Sequence, residues 1–121
     1  MNKSSIIKHG FDLEERTLKF AKSVLKLCKQ LSQNVINKEL ISQLVRSSGS
    51  VGANYREAND ALSKKDFIHR IKITRKEAKE THYWLELLLE VNTKYKEAID
   101  PLIKESLEIK KIFSSIVEKS S

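Results

Sequence analysis

The sequence predicts an all-α protein, an antiparallel up-down-up-down four-helix bundle, and three observations predict it. Glycine and proline are scarce, 3 and 1 in 121 residues, whereas a β-sandwich or barrel needs turn-formers about every ten residues. Charged residues make up 32% and hydrophobic ones 40%, the usage of long amphipathic helices. Apolar residues recur at spacings of three and four in four successive stretches, 12–31, 38–62, 64–92 and 101–118. Short loops between such helices favour antiparallel neighbours.

The expected organisation is a flexible N-terminal segment, 1–11, followed by one domain, 12–121. Asp12 and Glu15 read as a capping box that opens the first helix. Leu13, Thr17, Phe20, Val24, Leu27 and Leu31 form its main row, and Leu18, Ala21, Leu25 and Cys28 form a second row beside it. Together they cover roughly 180°, wider than the ~100° stripe of an ordinary surface helix, so this helix is expected to meet partners on two sides.

Residues 32–37 read as a polar loop. The second helix then carries Leu40, Ile41, Leu44, Val45, Ser48, Val51, Tyr55, Ala58 and Leu62 on one side. Gly49 and Gly52 interrupt it, each costing about 1 kcal/mol relative to alanine in a helix interior. Either the helix breaks there or small residues admit another backbone. The apolar phase continues across the stretch, which favours one helix with a kink.

Ser63 and Asp66 cap the longest helix, whose seam is Phe67, Ile71, Thr74, Ala78, Thr81, Leu85 and Leu88. Asp100 is expected to cap the fourth helix with Pro101 at its first position, where a missing amide costs nothing. Leu102, Ile103, Leu107, Ile109, Ile112, Phe113, Ile116 and Val117 supply its apolar side.

Several function classes fall away. No apolar run approaches the ~18 residues of a membrane span, and the N-terminal apolar stretch is too short for a signal peptide, so a cytoplasmic location is expected. The single cysteine, Cys28, excludes an intrachain disulfide framework, and on an apolar face it reads as a small buried hydrophobe. His9, His69 and His82 lack the company that nucleophilic or acid–base catalysis needs. A di-iron bundle would require two Glu-x-x-His motifs, and the nearest approach is Asp66-Phe67-Ile68-His69. Gly49-Ser50-Val51-Gly52 matches neither phosphate-loop fingerprint. The expectation is a noncatalytic protein without metal or other cofactor.

The net charge of +7 is unevenly placed. Residues 1–29 carry 7 basic and 3 acidic side chains, and residues 63–79 carry 7 and 2. Within the second group Lys65, His69, Lys72, Lys76 and Lys79 share one helical stripe almost opposite the seam, flanked by Arg70 and Arg75. Such a stripe suits phosphate-backbone contact, in which cations displace counterions without reading sequence. Its plain alternative is a solvated outer face. Candidate nucleic-acid contacts are Lys65, Arg70, Lys72, Arg75, Lys76 and Lys79.

Farther along the same helix Ile73, Trp84, Leu87 and Val91 form an apolar row away from the seam, with Glu77 and Glu80 between. Monomers seldom expose such rows, and tryptophan is a favoured interface anchor, so these residues are candidates for an oligomer interface. The alternative places Trp84 at the bundle edge against the fourth helix.

Phe11-Asp12-Leu13-Glu14-Glu15-Arg16-Thr17, Leu44-Val45-Arg46-Ser47-Ser48-Gly49-Ser50-Val51-Gly52-Ala53-Asn54-Tyr55-Arg56-Glu57-Ala58, Lys65-Asp66-Phe67-Ile68-His69 and Tyr83-Trp84-Leu85-Glu86-Leu87-Leu88 carry a resemblance. They are similar to the bacterial four-helix-bundle proteins encoded in intervening sequences of 23S ribosomal RNA genes, often called S23 ribosomal proteins, over about residues 11–118. Many members read S-I-P-S-N-I-A-E-G along residues 50–58. Ser50, Asn54 and Glu57 match that motif and Arg46 lies just ahead of it, while Gly52, Arg56 and Ala58 depart from it. The resemblance implies a ring-like homopentamer. It also implies kinship with the accessory subunit of diversity-generating retroelements, a basic pentamer that binds a reverse transcriptase and nucleic acid. Two readings follow: a homo-oligomer that binds structured RNA or DNA, or a protein-interaction scaffold without direct nucleic-acid binding.

Overall fold

The computed structural model describes residues 3–120, with side chains described for residues 13–120. Four helices follow one another: α1 (Lys3–Gln30), α2 (Val35–Asn59), α3 (Lys64–Val91) and α4 (Lys96–Ser120), with a 3-10 turn at Thr93–Tyr95. Both α1 and α3 pack against α2 and α4, while α1 and α3 do not approach one another. The helices therefore stand at the corners of a square, in the up-down-up-down order that short loops impose. Across the other diagonal the rings of Tyr55 and Phe113 meet at 5.2 Å, inclined by 52°.

The interior follows the periodicity closely. Leu13, Thr17, Phe20, Val24, Leu27 and Leu31 are all buried, as are Ile71, Thr74, Ala78, Thr81, Leu85 and Leu88. The second row of α1 is split: Cys28 is buried, whereas Leu18 and Leu25 remain 43% and 47% exposed. Within one chain, then, the wide face of α1 is only partly covered.

Small polar residues let the helices close up. Thr81 Oγ1 lies 2.9 Å from Ser47 Oγ and donates to the Glu77 carbonyl at 2.8 Å, so each hydroxyl in this α2–α3 seam is satisfied. Ser106 on α4 is likewise buried and donates to the Ile103 carbonyl. At the end of the bundle, Asn37 and Asn92 exchange amide hydrogen bonds of 3.1 and 2.8 Å. Asn37 also donates to the Ser32 carbonyl, and Asn92 to the Leu88 carbonyl.

α2 passes unbroken through Gly49 and Gly52, with no positive φ among the described residues. The close-approach reading applies at Gly52. A Cβ there would sit 3.1 Å from Thr17 Oγ1, 3.4 Å from Thr17 Cβ and 3.8 Å from the Thr17 backbone carbon. Nothing lies within 4 Å of the equivalent position at Gly49.

Four element ends differ from the sequence expectation by three residues or more. α1 is already helical from Lys3, so the Asp12–Glu15 pair does not open it; the side chains of the expected N-terminal segment lie outside the described residues. α2 begins at Val35, because Asn34 caps it by accepting the Asn37 amide at 2.8 Å. The polar stretch 32–37 reads as loop in the sequence because asparagine serves caps and turns alike. α2 stops at Asn59, with the Asp60 and Ala61 amides turned back onto Glu57 and Ala58, which leaves Leu62 fully exposed rather than buried.

α4 begins at Lys96, with Pro101 inside it rather than at its first position. Asp100 does not cap; its carboxylate accepts from Lys96 Nζ at 2.8 Å. Near a helix start the proline removes one bond, and the fully buried Ile99, in phase with Leu102, holds the preceding turn in the core. The Ser63 cap is as expected, its Oγ accepting the Asp66 amide at 3.0 Å.

Candidate nucleic-acid interface

With its seam turned inward, α3 presents the opposite side to solvent. Lys65, His69, Lys72, Lys76 and Lys79 are all exposed there. Fourteen residues at 1.5 Å make a ridge about 21 Å long. Among the described residues no ion pair engages these lysines.

The two arginines differ. Arg70 is half-buried and 4.0 Å from Asp66, a pair shared along one helix turn, while Arg75 is half-buried on the other flank. Lys64, absent from the sequence-based candidates, joins Lys65, Ile68, His69 and Lys72 around a shallow recess at the start of α3. Its four-residue spacing from Ile68 and Lys72 was the available signal.

The motif residues of α2 do not converge on one site. Arg46 spans to α3, donating from Nη1 to Glu77 at 3.1 Å and from Nη2 to Glu80 at 2.9 Å. Hydrogen bonding from Arg46 holds the Glu80 carboxyl below its ordinary pKa. Asn54 donates to the Ser50 carbonyl and hydroxyl at 3.0 and 2.9 Å, a bond within α2. Glu57 is exposed, whereas its neighbour Arg56 reaches Glu14 of α1 at 3.6 Å. Arg46 is thus an interhelical clamp, comparable with the two-pronged Arg16–Glu105 pair (2.8 and 2.7 Å) that ties α1 to α4. Arg46 thereby engages two of the acids of α3, and Lys76 of the ridge also acts on one of them, Glu80.

That clamp also orients the apolar row. Since Glu77 and Glu80 receive Arg46, the flank bearing Ile73 and Trp84 turns toward α2, not toward α4. Trp84 is half-buried against the core, edge-on to Tyr83 at 5.2 Å and 73°. Its indole N–H is enclosed without an acceptor among the described residues. Ile73 and Leu87 are half-buried, and Val91 is 48% exposed. Val91 shares a recess with Asn34, Val35, Ile36 and Asn37, where Val35 is 80% exposed. Val35 and Ile36 escaped the sequence reading because they had been placed in a loop.

Burial pushes the Cys28 thiol up to about 11, which keeps it protonated and a poor nucleophile. The half-buried His82 lies 3.3 Å from Glu86 one helical turn on, His69 stands among lysines, and the side chain of His9 is outside the described residues. No group of three metal-ligating side chains occurs among the described residues, and no helix among them is long and apolar enough to cross a membrane.

Comparison with known proteins agrees with this architecture. A solved structure from Bacteroides thetaiotaomicron, a protein with unknown function from the S23 ribosomal protein family, is 37% identical with a TM-score of 0.76, covering 86% of this chain and 96% of its own. No curated protein matches the chain. The family model for the 23S rRNA-intervening sequence protein matches residues 11–115, a span that takes in α2 and α3 whole, most of α1 and α4, the Arg46 clamp and the basic ridge. On that match, and on the shared bundle, the chain belongs to the 23S rRNA-intervening sequence protein family.

Proposed function

We infer that the protein is a noncatalytic homo-oligomeric bundle that binds structured RNA or DNA through the α3 ridge. The observation that carries this reading is the line of exposed lysines Lys65, Lys72, Lys76 and Lys79 on one helix, none of them in an ion pair among the described residues. Lysines one turn apart lie roughly 5–6 Å from each other, close enough to follow a phosphate backbone. In a homopentamer, five copies of a +7 chain would carry about +35 and strongly attract polyanions. The uncovered Leu18 and Leu25 and the exposed Val91 are apolar surface that a neighbouring copy would cover.

Neutralising Lys72, Lys76 and Lys79 to glutamine tests the contact. Three lost phosphate contacts should reduce the slope of log affinity against log salt by about 2 to 3 units. An unchanged affinity and slope would make the ridge a solvated face. Light scattering tests the association, and a mass equal to the 14.0 kDa chain would overturn it.

A further inference from the structure

We propose that α1 carries a second phosphate-binding ridge, so that each chain holds two nucleic-acid segments on opposite sides of the bundle. The proposal rests on the nucleic-acid reading of α3 and extends it. Lys19, Lys22, Lys26 and Lys29 recur at spacings of three, four and three, and all four are exposed. At 100° per residue they centre nearly opposite the buried row from Leu13 to Leu31. One acid, the exposed Glu15, precedes them by a turn. Among the described residues no ion pair engages any of the four lysines.

The square arrangement gives this stripe its consequence. α1 and α3 occupy diagonal corners, and each turns its lysines directly away from the core, so the two ridges point in opposite directions. With neighbouring axes 8–10 Å apart and side chains reaching about 5 Å beyond, the ridges stand roughly 25 Å apart. A duplex is stiff over ~150 base pairs, so a short one cannot wrap around both. Two ridges therefore call for two segments, or for two distant parts of one folded molecule.

A membrane surface fits α1 less well. An interfacial helix must sink its apolar face into lipid, and the main apolar face of α1 is already packed in the bundle. The protein would thus act as a strut between nucleic-acid segments, neutralising phosphates on two sides at once.

The test counts short hairpins bound per chain. Fluorescent RNA hairpins of about 12 base pairs are titrated at concentrations far above the dissociation constant. The unmodified protein should bind two hairpins per chain. The quadruple variant Lys19→Gln, Lys22→Gln, Lys26→Gln, Lys29→Gln should bind one, as should the variant with Lys65, Lys72, Lys76 and Lys79 changed to glutamine, and the combined variant none. One hairpin per chain, with affinity untouched by the α1 changes, would overturn the second ridge and leave the α3 reading standing. One hairpin per chain lost with the α1 lysines alone would overturn both, and so would an absence of binding. The count on the unmodified protein decides the proposal even where a variant is unstable.

Discussion

Replacing each of the two α2 glycines by alanine separates helix propensity from helix packing. Both substitutions gain about 1 kcal/mol of propensity, because alanine restricts the unfolded chain and suits a helix interior. At Gly49 the new methyl meets nothing within 4 Å, so the full gain should appear. For a chain of this length that is a rise in Tm of about 4 °C. At Gly52 the methyl would arrive 3.1 Å from Thr17 Oγ1 and 3.4 Å from Thr17 Cβ. Thr17 has little room to yield: it is 1% exposed, and its hydroxyl donates to the Leu13 and Glu14 carbonyls at 2.8 and 3.1 Å. Overpacking of this kind costs about 1–3 kcal/mol, so Gly52→Ala should be neutral to destabilising by about 2 kcal/mol. Gly52→Val should be worse. In a double-mutant cycle, Thr17→Ala should couple favourably with Gly52→Ala by at least about 0.5 kcal/mol, since it removes the nearest obstructing atom. Urea denaturation of the four proteins gives all the terms. If Gly52→Ala stabilises as much as Gly49→Ala, the close approach of α1 to α2 is not what demands glycine there.

Three further outcomes are expected. Arg46→Met should destabilise by about 1–2 kcal/mol at pH 7, chiefly by stranding the buried Glu77. Because Arg46 lowers the Glu80 pKa, the share of the effect that runs through Glu80 is present above the ordinary carboxylate range and fades as the pH falls through the native value; the gap between the urea midpoints of the two proteins should therefore narrow on acidification, and a gap independent of pH would contradict the clamp. Cys28 binds its proton more tightly in the native state, to about 11, than unfolded, so stability should be full below about pH 8.5 and fall by about 2–3 kcal/mol toward pH 11. Cys28→Ala should flatten that part of the profile, and an unaltered slope would show that the thiol is not the group responsible. Leu62→Glu should change stability by less than about 0.5 kcal/mol, as a surface substitution does, and a loss near 3 kcal/mol would mean that Leu62 is covered in the assembled protein.

The sequence alone determined the class, the helix count and nearly all of the interior. A row such as Leu13 to Leu31 can be buried along its length only if the backbone turns 100° per residue, so spacing and burial carry the same information. The Ser63 cap was legible for a similar reason, being a local bond over three residues. The α3 ridge was legible as a stripe, since what lies opposite the seam must face solvent.

Other features were decided by neighbours distant in the chain. Asn34 and Asn37 looked like loop, yet one caps α2 and the other pairs with Asn92, which is 55 positions away. Leu62 looked buried until the Asp60 and Ala61 amides ended the helix before it. Pro101 looked like a helix start, but packing of Ile99 carries α4 back past it to Lys96. The role of Gly52 depended on Thr17 of another helix, and that of Arg46 on two acids of α3. Periodicity says which face of each helix turns inward. Only the packed square says which helix each flank meets, and that α1 and α3 turn their lysines in opposite directions.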